Sequence, residues 1–88
     1  MLRIDEVRAN SSTAKLKLEG RIVGEWVSLL EEKILECLEK NKKVLLDFSE
    51  LRFVDEHGVE MLRKMPTEKV AIENCPQFIE ELVTGESQ

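Results

Sequence analysis

The spacing of apolar residues changes abruptly at Gly24, and this change constrains the fold more than any other feature of the sequence. Between Ala14 and Ile22 apolar and charged residues alternate, which is typical of a strand with one buried face. After Gly24, apolar residues recur every three or four positions from Trp26 to Leu38, which predicts an amphipathic helix. The pattern therefore predicts a strand followed directly by a helix that packs against it.

The rest of the chain continues this alternation of strands and helices. The run VLLDF at 44–48 does not alternate, so it predicts a central strand that is covered on both faces and ends near Asp47, with a loop at 49–52. Leu51, Phe53 and Val54 are then expected to return to the core. From His57 the spacing predicts a short helix that Pro66 ends. VAI at 70–72 predicts a short buried strand.

The two ends of the chain complete the pattern. Residues 2–7 alternate weakly and predict a strand paired antiparallel with the next one, through a turn at 10–13. Near the other end, Asn74 is a candidate N-cap with Gln77 as its capping-box partner. The predicted inner face of this last helix consists of Phe78, Ile79, Leu82 and Val83.

The element order is therefore β-β-α-β-α-β-α within 88 residues. Strand–helix–strand units favour parallel neighbours, with helices packed on the sheet. We expect an α/β fold with a mixed four-stranded sheet and helices mainly on one face. Residues 1–88 are expected to form a single domain.

The composition excludes several classes of function. Apolar residues make up 42% of the chain, but the longest apolar runs have three residues, so we expect no membrane insertion. The net charge of −5 argues against a nucleic-acid partner. We find no apolar leader pattern at the N-terminus and expect a cytoplasmic protein.

Cys37 and Cys75 are expected to be free thiols, because the sequence carries no secretion signal. With a single histidine and no CxxC motif, a zinc site is not expected. We expect no cofactor.

An acidic cluster follows the central strand, where open α/β sheets place their binding sites. Asp55, Glu56, His57 and Gly58 open the predicted helix, and Asp47 and Ser49 precede them. A purely structural explanation is available: Asp55 as N-cap, Glu56 favoured by the helix dipole, and Gly58 allowing close packing. Asp47 would hold the neighbouring loop by local hydrogen bonds.

Two enzymatic explanations of the cluster are weaker. Three consecutive residues, Asp55 to His57, point in different directions at a helix start and do not suit one metal ion. Acid–base catalysis by Glu56 with His57 would need a pocket and a second group held opposite. The sequence carries no nucleophile with its base, so we do not expect an enzyme.

The segments LKLEGRIVG, VLLDFSELRFVDEHGVEMLR and NCPQFIEEL together resemble the STAS domain, the sulphate-transporter and anti-sigma-factor-antagonist family. The resemblance covers most of residues 14–83. Its specific part is an apolar strand ending in Asp, then a short loop with a buried aromatic, then Asp-x-x-Gly at a helix start. The resemblance implies a mixed sheet with helices mainly on one side, and protein binding without catalysis.

In family members that act as anti-sigma factor antagonists, the tetrad is typically Asp-Ser-Ser-Gly or Asp-Ser-Thr-Gly, and a kinase phosphorylates its first hydroxyl residue. Asp55 and Gly58 match this tetrad, but Glu56 occupies the phosphoacceptor position and His57 the next one. Ser49 does not match the acceptor. The resemblance thus implies a module whose phosphorylation site is replaced by a permanent carboxylate.

We therefore expect a bacterial protein-interaction module that binds a kinase-like anti-sigma factor or a transporter subunit. The alternative is an accessory or small-ligand and lipid-binding component of a transporter complex, which a deep pocket beside Asp55 would favour. The chain also lacks the last strand and helix of longer family members. The resulting bare sheet edge predicts docking on a larger protein or a homodimer.

Overall fold

The computed structural model describes residues 2–8, 10–40 and 42–84. Its elements are β1 (Leu2–Arg8), β2 (Thr13–Ile22), α1 (Glu25–Glu39), β3 (Lys43–Val54), α2 (Glu56–Arg63), β4 (Val70–Glu73) and α3 (Gln77–Thr84). The strands form one sheet in the order β1-β2-β3-β4. β1 is antiparallel to β2, and the other neighbours are parallel. The predicted mixed four-stranded α/β architecture is confirmed.

β2 shows how the apolar pattern places the core. Leu16 and Leu18 are fully buried, whereas Lys15 and Lys17 on the opposite face are only partly covered. The apolar stripe of α1 joins the same core through Val27, Leu30, Ile34 and Cys37. The helix therefore covers the apolar face of the sheet, and the lysine face of β2 lies outside the core.

β3 is longer than the sequence predicts, so the predicted strand end at Asp47 and the loop at 49–52 are wrong. The strand stays paired with β2 as far as Val54, which faces Ile22. Its register against β2 shifts twice: the pairs 17–47 and 19–50 enclose one extra residue of β3, and the pairs 20–51 and 21–53 enclose another. Two β-bulges thus keep the segment in the sheet.

The bulges explain which side chains of β3 reach the core. Its buried apolar residues are Val44, Leu46 and Phe48, then Leu51, then Val54. A regular strand buries every second residue, so each step of three marks an inserted residue. Phe53, which the sequence predicts to sink into the core, is instead 46% exposed.

α3 buries less of its inner face than the sequence predicts. Ile79 is fully buried, but Phe78 and Leu82 are 53% and 43% exposed. The side chain of Val83 lies outside the described part of the structure. α3 is held beside α2 by the Arg63 guanidinium, whose Nε and Nη2 donate to the Leu82 carbonyl over 3.1 and 2.7 Å. A helix docked along one side needs only a narrow apolar stripe.

Two further predictions concern the cysteines and the sheet edges. Cys37 and Cys75 are both free thiols, and burial raises the pKa of each. Within the described residues, β1 and β4 each have one edge without a strand partner, and β4 pairs through Val70–Glu73 alone. Among the described helices, none has the length and apolar character needed to cross a membrane.

Candidate partner-binding site

Asp55 joins the connection after β3 to the connection after β2. Its Oδ1 accepts a hydrogen bond from the Gly58 N–H over 2.8 Å, which caps α2. Its Oδ2 accepts from the Gly24 N–H over 3.0 Å, and Gly24 precedes α1. These two backbone donors hold the pKa of Asp55 below its usual value. One carboxylate therefore fixes the start of α2 against the start of α1.

Gly58 is required by packing. A Cβ at this position would lie 2.7 Å from Val54 Cγ1 and 3.0 Å from Ile22 Cγ2. Both neighbours are core residues at the ends of their strands. The glycine thus lets α2 approach the sheet closely, as the structural explanation of the tetrad predicts.

Glu56 and His57 occupy the two central positions of the tetrad and are exposed to solvent. Glu56 is the first residue of α2 and lies in its first turn, where a negative charge interacts favourably with the helix dipole. The helix start and the exposure of Glu56 both match the sequence prediction. The tetrad therefore presents one carboxylate and one imidazole from a rigidly capped helix end.

Asp47 and Ser49 belong to a separate cluster. The Asp47 side chain is buried, and its Oδ1 accepts from the Ser49 N–H over 3.0 Å and from the Asn74 side-chain amide over 3.1 Å. Burial alone would raise the pKa of Asp47, but these hydrogen bonds hold it below its usual value. The bond from Ser49 is of the local kind that the sequence predicts, although it lies within β3 and not in a loop. The bond from Asn74 fastens β3 to the turn after β4, and the sequence does not predict it.

Asn74 is therefore not the N-cap of α3. It adopts a left-handed conformation with φ of 56°, and its amide is bonded to Asp47. The residue that directly precedes α3 is instead Pro76, whose carbonyl accepts from the N–H groups of Ile79 and Glu80 over 3.0 and 2.9 Å. The sequence pattern missed this because the partner of Asn74 is 27 residues away.

The six predicted site residues do not form one cluster. Asp47 lies seven residues before the end of β3. At about 3.3 Å per residue, it is separated from the tetrad by roughly 20 Å. Asp55, Glu56, His57 and Gly58 are contiguous at the start of α2. By contrast, Asp47 pairs with Glu73 of β4, and Ser49 lies two residues further along β3.

A groove of about 720 Å³ lies beside the tetrad, between the end of β3, α2 and α3. Its apolar lining consists of Phe53, Val54, Val59 and Leu82. Its charged lining consists of Asp55, Glu56, Glu60 and Arg63. We call it the α2–α3 groove. A smaller hollow of about 410 Å³ lies on the other side of α2, and both are lined by His57 and Glu60.

Sequence analysis missed the groove residues Phe53, Arg63 and Leu82. Phe53 lies in an apolar segment, which predicts burial, and no local pattern reveals the bulge that leaves it exposed. Arg63 and Leu82 meet only through tertiary packing of α2 on α3, for which the sequence carries no local signal. Within the described residues, no group of three or more histidine, cysteine or acidic side chains is arranged to hold a metal ion.

Solved structures with the same fold are known. One is SpoIIAA, an anti-sigma factor antagonist, in its unphosphorylated form, with a TM-score of 0.69 and 16% identity over 89% of this chain and 79% of that chain. Another is an uncharacterised protein of the DUF3478 family from Shewanella loihica PV-4, with a SpoIIAA-like fold. Its TM-score is 0.60, with 18% identity over 97% of this chain and 75% of that one. At these identities the likeness concerns the fold.

A comparison with family models gives a more specific result. No curated protein sequence matches the chain. The family model described as "Mlab, STAS domain" matches residues 6–84, which include β2, the tetrad and α3. The chain therefore belongs to the STAS domain family.

Proposed function

We propose that this chain is a single-domain, non-catalytic interaction module of the anti-sigma factor antagonist type, which binds its protein partner through the tetrad Asp55–Gly58. The observation that carries the proposal is the position of Glu56: exposed, first in α2, and next to the capping Asp55. In the family pattern this position carries the phosphorylated hydroxyl. A family match over residues 6–84 and the shared fold with SpoIIAA support the assignment.

Glu56 acts as a partial substitute for a phosphate. A phosphoserine carries a charge of about −1.5 to −2 and three acceptor oxygens, whereas a glutamate carries one charge and two oxygens. Both favour the positive end of a helix dipole. Since the described tetrad contains no hydroxyl, the module does not depend on a kinase at this position and stays in one binding state.

The remaining features of the proposal follow from this role. The module acts in the bacterial cytoplasm, and its partner is a kinase-like anti-sigma factor or a transporter subunit. It carries out no catalysis and needs no cofactor. Asp47 contributes to binding through the turn after β4, which it helps to hold, and Ser49 contributes through its hydrogen bond to Asp47.

The second candidate is an accessory or ligand-binding component of a transporter complex. The α2–α3 groove favours it, because about 720 Å³ lies directly beside Asp55 and falls in the range of roughly 300–1,000 Å³ typical of ligand clefts. The groove is open to solvent and carries three carboxylates, which suits a protein segment better than an enclosed apolar ligand. We therefore place the interaction module first.

The test is an affinity pull-down from the native lysate with wild type, Glu56→Ser and Glu56→Ala, followed by affinity measurement with the captured protein. Both substitutions are expected to change the affinity, and the serine variant is expected to become sensitive to phosphorylation. Glu25→Ala is the matched control, since Glu25 is an exposed first-turn glutamate on α1. Equal binding by wild type and both Glu56 variants would refute the proposal.

A further inference from the structure

The α2–α3 groove exposes large apolar side chains directly beside the tetrad. Phe53 and Leu82 both line it and are 46% and 43% exposed. They belong to β3 and α3, which are far apart in the chain. Large half-exposed side chains that converge in one groove indicate a docking surface more often than scattered single ones do.

The groove is lined by more carboxylates than cationic groups. Glu56 and Glu60 both line it from α2 and are four residues apart, so they lie on the same helix face. Like charges at this spacing repel each other. In the part of the chain that the structure describes, neither glutamate forms a salt bridge. The Arg63 guanidinium at the groove is engaged with the Leu82 carbonyl. A cation from outside would relieve the repulsion.

The walls of the groove select the shape of its occupant. An extended peptide that adds a strand needs a free sheet edge, and those of the described sheet lie at β1 and β4. The groove is walled by side chains of α2, of the end of β3 and of α3. An amphipathic helix can insert apolar side chains spaced three and four residues apart between such walls.

From these observations we propose that the α2–α3 groove binds an amphipathic helix of the partner protein, with apolar residues against Phe53 and Leu82 and a lysine or arginine between Glu56 and Glu60. The inference rests on the proposed function and adds the chemistry of the partner. Phe53 and Leu82 provide the anchoring contacts. The two glutamates discriminate against acidic helices.

The experiment selects a displayed library of random 16-residue peptides on the full chain, with counter-selection on the Phe53→Ser/Leu82→Ser variant. Selected peptides are synthesised and their affinity is measured by fluorescence anisotropy. We expect apolar residues at helical spacing and an excess of lysine and arginine. Loss of Phe53 or Leu82 should weaken binding by about tenfold or more, as for central anchors of interfaces. Glu60→Gln should weaken it by about threefold and reduce its dependence on salt.

Matched controls separate the groove from general surface effects. Leu35→Ser and Phe78→Ser remove side chains that are 45% and 53% exposed but do not line the groove, and binding should not change. Circular dichroism and thermal melting verify that each variant is folded. Glu60→Gln preserves the shape of the side chain, so it tests the charge without relying on the apolar variants.

Several outcomes would overturn the inference. These are a library that yields no groove-dependent peptide, selected peptides without an excess of basic residues, or full binding by the Phe53→Ser variant. A dimer by sedimentation that Phe53→Ser abolishes would assign the groove to a second copy of the chain. Groove-dependent uptake of an apolar dye that competes with no peptide would assign it to a small ligand. If groove-dependent basic peptides are found while the native partner ignores Glu56, the inference stands and the phosphate-substitute proposal fails.

Discussion

The side-chain amide of Asn74 donates a hydrogen bond to the buried Asp47 carboxylate over 3.1 Å, across 27 residues of chain. It joins the middle of β3 to the turn that leads into α3. Asn74 has a φ of 56°, a conformation that few residues other than glycine adopt readily. Two separate properties of Asn74, its amide and its backbone conformation, therefore stabilise this turn.

Substitution of Asn74 can separate the two contributions. Asn74→Gly keeps the backbone freedom but deletes the amide, and we expect a loss of about 1 kcal/mol in the free energy of unfolding. Asn74→Ala deletes the amide and adds left-handed strain, so we expect about 1 kcal/mol more. Urea unfolding measures both. Equal losses for the two variants would show that the backbone conformation does not matter here.

The pKa shifts of Asp47 and Asp55 predict how stability changes with pH. Both pKa values are lower in the folded chain than the value of about 4 expected in the unfolded chain. Their contribution to stability is therefore fully present above the unfolded pKa and is lost as pH falls through the folded pKa. We expect the free energy of unfolding, measured by urea titration, to fall as pH drops from 6 to 3.

Asp55→Asn tests the origin of this dependence. Asparagine can still cap a helix but does not titrate, so the stability gap between wild type and variant should narrow as pH falls. Glu25→Gln removes an exposed carboxylate on α1 and is the control. A gap that stays constant between pH 6 and pH 3 would argue against a role of Asp55 in acid stability.

Gly58→Ala is expected to destabilise the protein by overpacking. The added Cβ would meet Val54 Cγ1 at 2.7 Å, a contact that typically costs about 1–3 kcal/mol in a well-packed region. Combining it with Val54→Ala should recover part of the loss, because the colliding methyl group is gone. A double-mutant cycle by urea unfolding measures this coupling, and strictly additive losses would contradict the packing explanation.

The Arg63 contact predicts a local effect on α3. Arg63→Met removes the two donors to the Leu82 carbonyl, and we expect faster amide exchange in residues 77–84. Because the contact is exposed, the global free energy of unfolding should change by less than about 1 kcal/mol. Hydrogen exchange with mass spectrometry separates the exchange rate of α3 from the global free energy of unfolding. Unchanged exchange in α3 would contradict a role of the Arg63 contact in holding the helix.

Much of the fold could be predicted because it depends on local periodicity. The alternation in β2 and the three-to-four spacing in α1 are properties of neighbouring residues, and both elements form where the sequence places them. The sequence predicts too early an end for β3, because Ser49 and Glu50 are polar residues typical of a loop. Their place in the sheet is set by pairing with β2 through bulges, which no local pattern reveals.

In the candidate site, too, the features set by neighbouring residues could be predicted and those set by residues distant in the chain could not. Capping of α2 by Asp55 could be predicted, because the accepting N-cap side chain and the backbone N–H that donates to it lie within four residues. The bond from Gly24 to Asp55 and the contribution of Leu82 to the groove could not, because each joins residues that are distant in the chain.

The two inserted residues of β3 give its last stretch an unusual property. Between Phe48 and Asp55, each inserted residue moves the side chains that follow it to the other face of the strand. As a result, Val54 again points inward and Asp55 reaches the Gly24 N–H. Removing one residue there would turn Val54 to the opposite side of the sheet and swing the helix start away from its anchor. The stretch thus works as a spacer of set length, in which a substitution at an exposed position is easier to accommodate than an inserted or deleted residue.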